Sequence, residues 1–305
     1  MRRVFLAADG RLRSGWRFVL AILLFVLANI MAALIAVTFA REHSQLFELI
    51  YRTLTMVLLI AGYWWMSVRL DRVRHGAMAY QGLDTKVAWL RQCIVGFLYG
   101  AALVSIAVGI MALAADVSFA TQLSTRNLAI GVGGFVVFAI AAMLEEVAFR
   151  GYPFHRLIEG AGPVGAILIA NVLFGALHMG NPDFSGFAMF NTFLVGVPFA
   201  LAYLFTRALW LPWGFHWGWN FTLGVLYGLK VSGADFSGPV KGTVAGPQWL
   251  TGGAYGIEGG ASGTIVILIG LGGMFWVARH PALVGSPPKA VETGNKTPPA
   301  GIQAQ

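Results

Sequence analysis

The chain has 305 residues, of which 57% are hydrophobic and 11% charged, and its mean hydropathy is +0.72. Soluble domains carry roughly 25% charged residues, so this composition excludes a water-soluble globular protein. The formal charge of +8 does not indicate a nucleic-acid partner, because the 21 lysines and arginines stand between long apolar runs. The single cysteine, Cys93, excludes an intrachain disulfide and any site that needs several cysteines.

Charged residues delimit eight apolar runs that are long enough, or nearly so, to cross ~30 Å of hydrocarbon as helices. In chain order these runs lie between residues 17–41, 52–69, 91–116, 126–145, 159–183, 183–207, 207–230 and 258–279. We therefore predict an all-α fold, a polytopic transmembrane bundle of about eight helices. The first run exceeds the length of a signal-peptide core, so we interpret it as an anchor.

The distribution of basic residues predicts the orientation of the bundle, because Lys and Arg are retained on the cytoplasmic side. With the N-terminus inside, most of the 21 basic residues fall on inner segments. This asymmetry predicts that both termini lie in the cytoplasm.

The composition along the chain predicts four parts. An N-terminal two-helix membrane segment (1–87) precedes a catalytic core (88–230). An outer Gly-rich loop with the last helix (231–285) precedes a tail (286–305) that is rich in Pro, Gly and polar residues and is predicted to be disordered. Small-residue spacings at Gly96/Gly100 and Gly214/Gly218 predict close helix packing.

Two adjacent glutamates follow the fourth apolar run, and His178 and His216 are the only histidines inside predicted spans. A charged side chain at the centre of a membrane helix costs ~2.5–3.5 kcal/mol, so it needs a partner or a purpose. Glu146 and Arg150 are spaced i,i+4 on one helix face, which predicts an ion pair. Glu145 points about 100° away and is available to another partner.

The turn signature Gly160-Ala161-Gly162-Pro163 predicts where the fourth and fifth helices join. Residues 145 and 178 are equally distant from this turn. If the two helices form an antiparallel hairpin, Glu145 and His178 lie at the same height and can face each other.

The seventh run places an imidazole and a carboxamide on one stripe, because His216 and Asn220 are spaced i,i+4. Gly214 and Gly218 lie on roughly the opposite face. Polar groups from three helices can therefore converge inside an apolar bundle.

This set of side chains fits peptide-bond hydrolysis, which needs a base for water and donors for the oxyanion. We assign Glu145 as the base, His178 as the group that positions the water, and His216 and Asn220 as oxyanion donors. Two histidines and one glutamate are also a catalytic zinc ligand set, so zinc on Glu145, His178 and His216 is the alternative to a site without cofactor. The structural interpretation is that these groups only link the helices to one another through buried hydrogen bonds.

Other protease chemistries fit the sequence less well. A His-Glu-x-x-His zinc motif is absent from the sequence. Ser262, in a Gly-Ala-Ser-Gly stretch, is 18 residues from His280, which is ~27 Å along a helix, so the two cannot form a dyad.

Three motifs in order resemble the CAAX-protease and bacteriocin-processing (CPBP, or Abi) intramembrane proteases, which include the type II CAAX prenyl endopeptidases. The resemblance covers roughly residues 88–230. It implies that the first Glu and first His activate water, that the second His and the Asn form the oxyanion hole, and that the substrate is a membrane-associated peptide or protein. The motifs are Glu145-Glu146-x-x-x-Arg150, Phe174-x-x-x-His178 and His216-x-x-x-Asn220.

The rival interpretation is a membrane protein of the same fold without catalysis, either an immunity factor or a scaffold. A transporter is a third possibility, because intramembrane carboxylates and histidines also relay protons. Paired broken helices and inverted repeats, which are typical of transporters, are not recognisable in the sequence.

Overall fold

A bundle of eight main helices and a two-stranded sheet form the fold in the computed structural model, which describes residues 2–40, 44–86 and 88–285. The strands, β1 (Asp116–Thr121) and β2 (Val240–Ala245), pair in antiparallel fashion with Asp116 opposite Ala245. The helices are α1 (Ser14–Ala40), α2 (Ser44–Arg69), α3 (Trp89–Ala114), α4 (Thr125–Arg150), α5 (Tyr152–Leu177), α6 (Gly186–Thr206), α7 (Trp210–Phe221) and α8 (Ala261–Ala278).

Five helical stretches in the described residues are long and apolar enough to cross a membrane. They are 14–40, 46–69, 89–114, 125–180 and 186–206, and the stretch 125–180 contains both α4 and α5. The protein is therefore an integral membrane protein, and the predicted all-α class is confirmed. The number of crossings stays a prediction, and the tail predicted to be disordered lies outside the described residues.

The fourth helix is longer than predicted, because α4 continues past Glu145 to Arg150. α5 begins at Tyr152, and Gly162 divides it into two helical parts. The chain nevertheless reverses at the predicted turn. Gly162 there has a φ of +73°, a conformation that glycine adopts without strain. Across the hairpin, the rings of Phe149 and Phe174 lie 5.1 Å apart.

The seventh helix is shorter than the predicted span 207–230. α7 has 12 residues and continues only through a five-residue π-helical turn, Thr222–Leu226. Arg207, with a φ of +54°, ends α6 three residues before α7 begins, and Gly228, with a φ of +60°, lies two residues beyond the π-helical turn.

Helices α3 and α7 touch backbone to backbone through four glycines, Gly96 and Gly100 on α3 and Gly214 and Gly218 on α7. A Cβ atom at any of them would overlap a backbone carbonyl of the opposite helix. The predicted close packing is confirmed, and it fixes the position of the helix that carries His216 and Asn220.

Segments predicted to be cytoplasmic meet at one end of the bundle. Arg17 at the start of α1 donates to Asp71 after α2 and, at 2.7 Å, to Glu159 of α5. Arg156 of α5 donates to the same two carboxylates, at 2.9 and 2.6 Å. Arg17, Asp71 and Arg156 are buried. The network confirms that these three segments share one side of the bundle, while the side that faces the cytoplasm stays a prediction.

Candidate active site

Glu146 and Arg150 form a fully buried ion pair near the C-terminal end of α4. Arg150 Nη1 donates to Glu146 Oε1 at 3.3 Å, as the i,i+4 spacing predicts. Arg150 Nη2 donates to Oδ1 of Asn171 on α5, at 3.4 Å, and to the carbonyl of Gly196 on α6, at 3.3 Å. Partners of this kind offset the cost of burying a charge, so the pair joins three helices.

Aromatic rings surround the same guanidinium. The Arg150 Cζ atom lies 4.7 Å from the ring centroid of Phe174 and 5.3 Å from that of Phe199. Gly196 leaves the room for this arrangement, because a Cβ there would overlap the Asn171 side chain. Cation–π contacts are strongest where water is excluded, so Phe174 contributes to holding Arg150 in place.

His216 lies between the two glutamates. Its Nδ1 donates to Glu146 Oε1 at 3.1 Å, and its Nε2 lies 3.7 Å from Glu145 Oε2. The Phe199 ring stacks on the imidazole, with centroids 5.0 Å apart and an interplanar angle of 19°. The sequence analysis had paired Glu145 with His178, whereas the imidazole that contacts Glu145 here is His216.

His178 begins the 3₁₀ turn His178–Gly180 that follows α5. Its Nδ1 donates to the carbonyl of Phe174 at 2.8 Å. A carbonyl can only accept, so Nδ1 carries the proton in the neutral ring and the lone pair is on Nε2. The hairpin register that pairs Phe149 with Phe174 places His178 at the height of Glu145.

His178, His216 and Asn220 line one cavity together with Phe174. Its volume is about 30 Å³, which is enough for a water molecule. Glu145 does not line this cavity, but its Oε2 lies 3.7 Å from Nε2 of His216, which does. The Glu145 side chain is 26% exposed, and its Oε2 has no hydrogen-bond partner among the described residues.

The remaining cavity wall was missed by sequence reasoning. It comes from α6, from the end of α7, from the segment between α7 and α8, and from Ile267 of α8. Two signals were available: Asn191 is polar within an apolar run, and Glu258 stands at the end of a span, where we used it only as a boundary. The polar members of this wall are Asn191, Thr192, Ser232 and Glu258.

The described residues contain no group of three or more His, Cys, Asp or Glu side chains that could hold a metal ion. The metal dependence of the protein, including the alternative zinc site on Glu145, His178 and His216, stays a prediction.

Comparison with protein families supplies the deciding observation. Residues 126–222 match the family model described as type II CAAX prenyl endopeptidase Rce1-like. The matched segment is similar to this family and covers 97 of the 305 residues. The Rce1-like segment runs from the first residues of α4 to the end of α7 and contains all three motifs. No curated protein and no solved structure matches the chain.

The match supports a membrane-embedded endopeptidase at the level of the family. The family segment holds the Glu146–Arg150 ion pair, the His216 contact with both glutamates, and the three polar side chains of the cavity that the sequence analysis named.

Proposed function

We propose that the protein is an intramembrane endopeptidase of the cell membrane that hydrolyses a peptide bond with a water activated by Glu145 and His178. One observation carries the proposal. Two imidazoles and a carboxamide, on His178, His216 and Asn220, face one cavity of water size. Glu145 Oε2, which has no hydrogen-bond partner among the described residues, lies 3.7 Å from Nε2 of His216.

The proposed base is Glu145. Two atoms 3.7 Å apart can both hydrogen-bond to one water that lies ~2.8 Å from each, so Glu145 Oε2 and His216 Nε2 define a water position. Glu145 takes a proton from this water while the water oxygen bonds to the substrate carbonyl carbon. His178, whose Nε2 lone pair is available, accepts the second hydrogen of the water and orients it.

The attack leaves a negative charge on the former carbonyl oxygen. We assign its stabilisation to Asn220, through the side-chain N–H, and to His216, through Nε2–H when the ring carries both protons. When the tetrahedral intermediate collapses, the C–N bond breaks and Glu145 returns its proton to the leaving amine. Each donor of this kind is typically worth ~10²–10³ in turnover.

Glu146 and Arg150 are proposed to position these groups. Glu146 accepts from His216 Nδ1, which fixes the ring so that Nε2 faces Glu145. Arg150 fixes Glu146 in turn. Phe174 supports both sides of the site, because its carbonyl accepts from His178 and its ring lies against Arg150.

The proposed substrate is a membrane-associated peptide or protein, and the family description makes a prenylated CAAX C-terminus the first candidate. The lipid bilayer presents such a substrate to a site inside the helix bundle. We propose no nucleic-acid partner and no cofactor. Support for metal-independent chemistry comes from the base and donors already present in the side chains named above.

Replacement of Glu145 with Gln tests the proposal, because the amide keeps the shape and removes the base. Purified protein in liposomes is incubated with a farnesylated CAAX peptide, and membranes of cells that carry either form are compared for cleavage products by mass spectrometry. We expect wild type to yield products and Glu145→Gln to lose at least ~10²-fold in rate. The matched control is Glu48→Gln, at a carboxylate of α2 that is 43% exposed.

Full cleavage by the Glu145→Gln variant would remove the base assignment. Retention of the cellular role by this variant, with no product from wild type, would instead favour a membrane immunity or scaffold protein without catalysis.

A further inference from the structure

The outer segment between α7 and α8 reaches into the cavity through one tight turn, residues 231–234. Ser232 lies in this turn and lines the cavity together with His216 and Asn220. Its φ is +48°, in the left-handed region that L-residues other than Asn and Asp rarely adopt. Such backbone persists only where the surroundings fix it, and it clusters at functional sites.

Glu258 fixes this turn to the helix of the catalytic motif. Both the backbone N–H and the hydroxyl of Ser232 donate to Glu258 Oε2, the hydroxyl at 3.2 Å. The other oxygen, Oε1, accepts from the indole of Trp219 at 2.8 Å. Trp219 directly precedes Asn220 on α7. One carboxylate therefore links the turn to the position of the proposed oxyanion donor.

Two further contacts hold the turn from other sides. The Asn181 side chain donates to the Ser232 carbonyl at 3.0 Å, and the Gly233 N–H donates to the Tyr255 carbonyl at 3.1 Å. The N–H, hydroxyl and carbonyl of Ser232 thus all have partners within the protein. The hydroxyl uses its single proton toward Glu258, so the lone pairs of its oxygen are what it can offer to another molecule.

We propose that Ser232 Oγ accepts a hydrogen bond from a backbone N–H of an extended peptide that is bound with its scissile carbonyl at the cavity, and that Glu258 is the positioning residue that holds Ser232 there. The inference rests on the proposed function, since it names a contact to the same substrate. An extended peptide presents carbonyl and N–H groups in alternation. A peptide whose scissile carbonyl faces His216 and Asn220 can thus present a neighbouring N–H to Ser232, which lines the same cavity.

The test measures binding in the Glu145→Gln background, where no cleavage interferes. A fluorescent farnesylated CAAX peptide and a series with one N-methylated amide at each position are titrated in liposomes. In the Glu145→Gln protein, N-methylation at one position should weaken peptide binding about three- to tenfold, because the loss of one neutral hydrogen bond reduces affinity by about this factor. With Ser232→Ala or Ser232→Gly added, that penalty should disappear, because the acceptor is gone.

Two variants are needed because alanine is strained at a φ of +48°, whereas glycine adopts it freely. The glycine variant therefore loses the hydroxyl without adding strain. Thr243→Ala is the control, because it removes a hydroxyl from the same outer segment, bonded to Ser118 and away from the cavity wall. It should keep the full N-methyl penalty.

Hydrogen exchange tests Glu258 separately. Glu258→Ala should speed exchange of the amides of residues 231–234, while the amides of α4 stay unchanged, and it should weaken peptide binding at least as much as Ser232→Gly does. Glu258→Gln keeps one acceptor oxygen, so its exchange rates and its peptide affinity should lie between those of Glu258 and those of Glu258→Ala. Unchanged exchange in Glu258→Ala would overturn the positioning role.

The outcomes separate this inference from the proposed function. The Ser232 contact would be overturned, even if wild type cleaves, by either of two results. One is an N-methyl penalty that is equal with and without the Ser232 hydroxyl, and the other is that the Glu145→Gln protein binds no peptide. A penalty that depends on Ser232 in a protein that never cleaves would keep the contact and reject the hydrolase.

Discussion

His216 Nδ1 lies 3.1 Å from Glu146 Oε1, although the two residues are 70 positions apart in the chain. The contact makes Glu146, itself paired with Arg150, the orienting partner of the imidazole. The neighbouring carboxylate, Glu145, is left on the other side of the ring, at Nε2. One imidazole thus separates a structural carboxylate from a candidate catalytic one.

Because Nδ1 of His216 faces Glu146 and Nε2 faces Glu145, two replacements of His216 should have different effects. Asn can reproduce the Nδ1 donor toward Glu146, whereas Gln can reach the Nε2 position but leaves Glu146 without this partner. We expect His216→Asn to keep near wild-type stability and lose activity at least ~10²-fold. His216→Gln should lose more stability, by roughly 1–3 kcal/mol, because a buried carboxylate loses a donor. Unfolding in mixed micelles and peptide cleavage measure the two effects, and equal stability losses would contradict this assignment.

The interface between α3 and α7 predicts a position-dependent cost of adding one methyl group. Gly100→Ala should destabilise by roughly 1–3 kcal/mol, because its Cβ would overlap the carbonyl of Phe215. Gly109→Ala is the matched control on the same helix, since no atom outside its own stretch of helix lies within 4 Å of its Cβ. It should be neutral or stabilising by up to about 1 kcal/mol. Thermal unfolding in detergent compares the two, and equal effects would speak against the packing.

The buried ion network at the other end predicts a large loss of stability for Asp71→Asn. Two buried arginines, Arg17 and Arg156, would lose their shared carboxylate. Loss of one partner from a buried pair typically costs ~3–5 kcal/mol. Glu48→Gln, which breaks an ion pair that is partly exposed on both sides, should change stability by less than about 1 kcal/mol. A similar small change in Asp71→Asn would show that the network contributes little.

The predicted orientation is testable with single cysteines, because Cys93 is buried and is the only native cysteine. In a Cys93→Ala background, Ser118→Cys on β1 should react with an impermeant maleimide added to intact cells. Lys86→Cys, in the loop before α3, should react only after permeabilisation. Both side chains are exposed in the structure. The reverse labelling pattern would place the N-terminus outside.

Metal independence predicts that chelators leave peptide cleavage unchanged. The physical reason is that the proposed base, Glu145, and the proposed oxyanion donors, His216 and Asn220, are side chains that act without a metal. Treatment with 1,10-phenanthroline and elemental analysis of the purified protein measure this directly. If the chelator abolishes cleavage and added zinc restores it, the result would instead support the alternative zinc site on Glu145, His178 and His216.

Much of this protein could be predicted from local sequence. The long apolar runs require helices in a bilayer, because an unpaired backbone group has no water partner there. The i,i+4 spacing was enough to predict the Glu146–Arg150 ion pair. The turn signature around Gly162 was enough to predict where the chain reverses. Small residues at Gly96 and Gly214 were enough to predict close helix contacts, since backbones approach only where side chains are absent.

Contacts between distant segments were decided only by the tertiary structure. Helical periodicity shows which side chains share a face, but it does not show which face of another helix lies opposite. The sequence therefore paired Glu145 with His178, whereas packing brings His216 to it. The cavity wall formed by Ser232 and Glu258 was also invisible, because its position depends on how an irregular outer segment folds back onto α7.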